Sequence, residues 1–273
     1  MRFKWRMYRM LLACLMLFIA GTSAVSAAKP LAVVTAKSIR AVQTLNHHAY
    51  LPLVSRSETC QPTGEIYGML PPINPYDGNV ETHPDMNLAV RGYEPTEAYM
   101  GLVDYAGAID PNAPQFPSLF DDNRTAIFSS GYKVYSWDWT CNCRGGLIQK
   151  WAVTLLGLAT TPGEIIHLPV SGYDIGGGYG ALVLYASPTR LTLKYTREDD
   201  VVAGYTIHLE NICTDPNLLA LYRQLNAAGR SELPALFPGQ PLGRAPGNEI
   251  DIAVRDAGSL LDPRSRKDWW QGR

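Results

Sequence analysis

From Thr125 to Arg255 short apolar runs alternate with turn residues, a rhythm that restricts the chain to antiparallel strands joined by tight connections. The strongest run is Tyr132-Lys133-Val134-Tyr135-Ser136-Trp137-Asp138-Trp139, whose period of two places Tyr135, Trp137 and Trp139 on one face. Further strands are expected over Trp151 to Leu158, Glu164 to Pro169, Ala181 to Ala186, Arg190 to Thr196, Tyr205 to Leu209 and Glu249 to Arg255. Thr161-Pro162-Gly163 and Ser187-Pro188-Thr189 supply turns between them. One helix interrupts the series. Asp215 caps it, Pro216 suits its first position, Leu218, Leu221, Tyr222 and Leu225 form its apolar face, and Gly229 ends it. The 24 Gly, 20 Pro, 15 Tyr and 6 Trp fit a mainly β fold class.

Upstream the pattern changes. Arg2, Lys4, Arg6 and Arg9 precede the apolar run from Met10 to Ala20, and small residues lead to a cleavage point near Ala28, so residues 1–28 read as a secretory signal peptide. The apolar run is roughly half the ~20 residues a transmembrane helix needs, and no later stretch is long enough, so no membrane span is expected after cleavage. Residues 29–57 read as a linker or arm, where His47-His48 is a solvated pair. Residues 58–124 are crowded with turn signals such as Asn74-Pro75-Tyr76-Asp77-Gly78, and residues 125–273 form the β domain. A net charge of -1 with well-mixed signs gives no support for a nucleic-acid partner.

Removal of the leader takes Cys14 and leaves Cys60, Cys141, Cys143 and Cys213, an even set that predicts disulfides in an exported protein. Cys141 with Cys143 would close a very small ring, so Cys60 and Cys213 are each expected to take one member of that pair. A Cys-x-Cys metal or redox site is the competing reading. Glu198-Asp199-Asp200 reads as an exposed loop tip, and the Trp269-Trp270 tail as a terminal segment docked by its tryptophans.

Several stretches, in order, resemble the M23 (lysostaphin-like) metallopeptidases. They are Thr161 to Gly172, Gly177-Gly178-Tyr179-Gly180-Ala181-Leu182-Val183-Leu184, Tyr205-Thr206-Ile207-His208-Leu209, Pro238-Gly239-Gln240-Pro241-Leu242-Gly243, and Glu249 to Arg255 followed by Gly258 and Asp262-Pro263. The resemblance covers the C-terminal half only. It implies an antiparallel sheet or open-barrel domain in which the helix is an insertion, and a zinc held by two histidines and an aspartate. The family's final His-x-His is here Glu249-Ile250-Asp251, and Trp151 to Thr161 holds neither histidine nor acid where an upstream His-x(3)-Asp pair is expected. His208 alone occupies a matching histidine position, and Asp251 is the one remaining zinc ligand.

Zinc catalysis is therefore not expected. Three readings remain for a groove cluster of His208, Glu249 and Asp251: a calcium-type oxygen site, a polar floor for a ligand, or acid/base chemistry with His208 as base. Tyr179 and Tyr205 are candidate ligand contacts. The bland alternative is a solvated strand face with a hydrogen-bonded core histidine. The leading expectation is an extracellular or cell-envelope binding or scaffold module whose partner is a cell-wall peptide, a glycan or another envelope protein. The rival is an active hydrolase with substituted ligands.

Overall fold

Residue-by-residue alternation shapes the centre of the molecule, seen in a computed structural model that describes residues 60–272. The expected leader, the 29–57 arm and its histidine pair lie outside the described residues. The strands are β1 (Gly68–Leu70), β2 (Tyr93–Pro95), β3 (Phe128–Asp138), β4 (Cys143–Leu147), β5 (Leu155–Ala159), β6 (Ile165–His167) and β7 (Ala181–Ser187). They continue as β8 (Arg190–Lys194), β9 (Tyr205–Glu210), β10 (Cys213–Thr214), β11 (Leu233–Leu236), β12 (Pro241–Arg244), β13 (Glu249–Asp256) and β14 (Ser259–Leu260). An eleven-stranded antiparallel sheet runs β1-β11-β7-β8-β9-β13-β5-β3-β2, with β14 on β13 and β4 on β3. A second sheet, β10-β12-β6, has three strands.

The central strands are two-faced. Leu191, Leu193, Ile207, Leu209, Ile250, Ile252, Val254, Leu156 and Leu158 join one apolar core, into which Ile166 and Leu242 of the smaller sheet also pack. The intervening residues point the other way and carry polar groups, described below. The helices are α1 (Leu88–Arg91), α2 (Pro216–Ala227) and α3 (Arg266–Trp269). At α2 the Asp215 carboxylate accepts from the amides of Asn217 and Leu218, satisfying two donors that a helix start leaves open. The tail docks as the sequence suggests. Trp269 stacks on Phe116, and the indole N–H groups of Trp269 and Trp270 donate to the carbonyls of Asp262 and Pro263.

Two expectations need correction. The disulfides are Cys60–Cys213 and Cys141–Cys143, not a crossed arrangement. Asn142 takes a left-handed conformation (φ 49°), and the chain turns back so that its flanking Cα atoms lie 5.3 Å apart, within disulfide range. The Glu198-Asp199-Asp200 run is not simply a loop tip. Asp199 is buried, receives Arg230 Nε at 2.7 Å and accepts from the Tyr76 amide at 2.8 Å. A paired acid is stable in the interior where an unpaired one is not.

Candidate functional site

Strand alternation and register put the predicted residues on one face of the large sheet. Glu249, Asp251, Ala253 and Arg255 alternate along β13. Asp251 lies opposite Glu210, Ala253 opposite His208 and Arg255 opposite Thr206 on β9. One strand further, Arg190 pairs with Glu210 and Thr192 with His208. This is a polar face on a buried sheet, and its two ends differ in chemistry.

At one end is the histidine. Thr192 Oγ1 donates to the Met86 carbonyl at 2.5 Å, so the same oxygen accepts from His208 Nδ1 at 3.0 Å. Arg255 Nε donates to His208 Nε2 at 3.0 Å. This network assigns the neutral Nδ1–H tautomer. Burial first, then the charges of Arg255 and Arg91, holds the imidazole well below its ordinary range. With both nitrogens engaged and no exposed surface, His208 has no free position for a substrate proton or a metal.

At the other end are the acids. Glu249 Oε2 accepts from the hydroxyls of Ser129 and Ser130, and Arg190 Nε meets Glu210 at 2.6 Å. Asp251 Oδ1 is buried with no hydrogen-bond partner. Burial, then Glu249 and Glu210, pushes the Asp251 carboxyl up to about 7. Burial also lifts Glu210 to about 7 against the pull of Arg190.

A folded-state value above the unfolded one means that stability is present at low pH and lost as pH rises from the ordinary aspartate range to about 7. Asp251→Asn removes that loss. The variant is expected to match the parent near pH 4 and to exceed it by about 2–4 kcal/mol at pH 8. Thermal unfolding across pH checks this, and a pH-independent difference between the two proteins would contradict it.

The face is covered by residues 83–93, from the stretch read as turns. His83 Nδ1 accepts from the amides of Asp85 and Met86, fixing a tight bend. Asp85 then reaches Arg255 at 2.9 Å and Arg91 at 2.6 Å. Leu88 packs with Ala253, Leu155 and Val134. Tyr93 comes near Glu210 and Asp251, and burial followed by those two charges raises its hydroxyl to about 12. A short apolar and charged run, Asp85 to Arg91, inside an otherwise turn-rich stretch was the signal for this cover.

The other candidates lie elsewhere. Tyr179 stacks on Phe237 with ring centroids 4.3 Å apart and contacts Gly68, at the β1-β11-β7 end of the sheet. Tyr205 alternates with His208 and faces the apolar side, edge-on to Trp269. There it lines a cleft of about 390 Å³ with Tyr105, Trp151, Trp269, Asp110 and Asp256. Among the described residues no group of three or more His, Cys, Asp or Glu side chains is arranged to hold a metal ion, and no helix is long and apolar enough to cross a membrane. With His208 fully engaged, the donors present do not fit the zinc site of the M23 resemblance.

No match answers the question of kinship. Neither family models, curated proteins nor solved structures return one for this chain.

Proposed function

We propose that the protein is an extracytoplasmic, M23-peptidase-like domain that binds a cell-wall peptide or glycan without cleaving it. The carrying observation is the cover over the polar sheet face. Asp85, Leu88 and Tyr93 occupy the space above Arg255, Ala253 and Asp251, where a substrate of a peptidase groove would lie. The two disulfides support an oxidising compartment.

Binding is assigned instead to the cleft on the opposite side. Its aromatic rings offer flat faces to sugar or peptide, and the carboxylate of Asp256 offers acceptors to hydroxyl and amino groups, while Asp110 is held by the Tyr173 hydroxyl and the Asn112 amide. Co-sedimentation with purified cell wall tests this. The protein is expected to pellet without releasing soluble fragments, and Trp151→Ala is expected to weaken binding about tenfold or more. Stoichiometric zinc with peptide-bond cleavage that disappears in His208→Ala would overturn the reading.

The hydrolase reading retains one favourable feature, the Asp251 carboxyl beside Glu249, which burial and its acidic neighbours push up to about 7. It requires residues 83–93 to leave the sheet, after which cleavage would depend on Asp251 and not on His208. Release of wall fragments abolished by Asp251→Asn supports that alternative against the binding module.

A further inference from the structure

The Cys141–Cys143 bridge has no evident structural task. Asp138 and Cys143 are Cα partners at the end of the β3-β4 hairpin, leaving Trp139, Thr140, Cys141 and Asn142 as its loop. A crosslink stabilises chiefly by shortening the unfolded chain, and its effect grows with the loop it closes. Cys60–Cys213 spans a separation of 153 residues, whereas Cys141–Cys143 spans 2. The turn is held without it, since Asp138 Oδ1 accepts from the Thr140 amide at 2.8 Å and Trp137 Nε1 donates to Asn142 Oδ1 at 3.2 Å. Both cysteines are exposed and belong to no core cluster.

Those properties suit chemistry better than architecture. Attack on a disulfide requires access to its sulfur, and exposed disulfides are the more oxidising and labile class. Beside the bridge, Trp139 is 56% exposed, an apolar platform on which an extended polypeptide can settle. The Asn142 turn keeps the two sulfurs adjacent after reduction, so closure of the bridge is intramolecular.

We propose that the Cys141–Cys143 disulfide is a thiol–disulfide exchange site that passes its disulfide to cysteine pairs in unfolded or extended polypeptides. A substrate thiolate attacks one Sγ, the Cys141–Cys143 bond breaks, and a mixed disulfide forms as the other cysteine leaves as a thiolate and takes a proton from water. A second substrate thiolate then attacks the substrate sulfur of the mixed disulfide and expels the first cysteine. The substrate loses two electrons and two protons and gains a disulfide, and the pair gains both as two thiols. A disulfide-bearing oxidant, such as oxidised glutathione or another protein disulfide, restores it by the reverse exchange. The site is separate from the aromatic cleft and independent of what the cleft binds.

The test mixes the oxidised protein with a fluorogenic peptide carrying two thiols, under anaerobic conditions at neutral pH. Formation of one peptide disulfide per protein is expected, at a rate about a hundredfold above that of Cys141→Ser/Cys143→Ser, with multiple turnovers once oxidised glutathione is added. A second measurement needs no variant. Alkylation and mass mapping across glutathione buffers should show Cys141–Cys143 opening under far milder reduction than Cys60–Cys213. Equal peptide oxidation by the variant, or opening of Cys60–Cys213 first or together with Cys141–Cys143, overturns the proposal.

Discussion

Cys60→Ser/Cys213→Ser is expected to lower the stability of the fold by about 5 kcal/mol, the loop-entropy value for a closed loop of this length. The bridge joins the first described residue to β10, between β9 and α2, across a separation of 153 residues. Its loss acts first on the unfolded chain, which regains the freedom of the stretch between Cys60 and Cys213, most of the described residues. The folded state also loosens nearby, because the Thr63 amide and hydroxyl both donate to the Asp215 Oδ2 that stands at the α2 cap. β1 follows directly and completes one edge of the sheet against β11. For a domain of this size the midpoint of thermal unfolding is expected to fall by roughly 10–20 °C. Reductant should destabilise the parent comparably, and production in a reducing cytoplasm should yield poorly folded protein. A shift below about 1 kcal/mol, or equal melting with and without reductant, would refute the prediction.

Asp85→Ala is expected to cost about 3–5 kcal/mol, the range for removing one partner from a buried ion pair. Burial alone would raise the Asp85 carboxyl, but Arg255 and Arg91 more than offset it and hold it below the ordinary aspartate range. That stabilisation is complete above the ordinary range and is lost as pH falls through the folded value. Without the carboxylate, Arg255 keeps its charge in the interior with only His208 and the Gly258 carbonyl as partners. Arg91 loses its contact with the same oxygen. The cover over the polar sheet face should then open before the rest of the domain. Denaturant unfolding measures the cost, and limited proteolysis should cut near residues 83–93 in the variant but not in the parent. If Asp85→Ala unfolds like the parent and resists cleavage there, the ion pair does not hold the cover.

Local chemistry made much of the fold legible. Period-two alternation located the central strands from Ala181 to Glu210 and β13 within one or two residues, because burial of one sheet face imposes that period. Capping chemistry placed α2 in the same way. Weaker local signals failed for understandable reasons. The stretch Trp151 to Thr154, expected as the start of a strand, precedes β5 as a loop from which Val153 packs into the core and the Thr154 hydroxyl accepts from the Val134 amide. β1, β2 and β14 are two or three residues long, too short to show any period. Asp199 looked solvated because its partner Arg230 lies 31 positions away.

The site divides along the same line. Alternation alone determined that Glu249 and Asp251 share a face of β13. Tyr205, expected in the same groove as His208, instead points to the opposite face of β9 and packs against Trp269. The identity and spacing of the cysteines determined that disulfides form. Which cysteines pair, that His208 is locked between Thr192 and Arg255, and that residues 83–93 cover the acids were decided only by the tertiary structure. Register brings Glu210 opposite Asp251 from 41 positions away, and the cover arrives from more than 150 positions upstream. Whether a carboxyl is a solvated charge or a buried acid depends on what lies above it. No local pattern carries that information, because the covering groups come from distant parts of the chain.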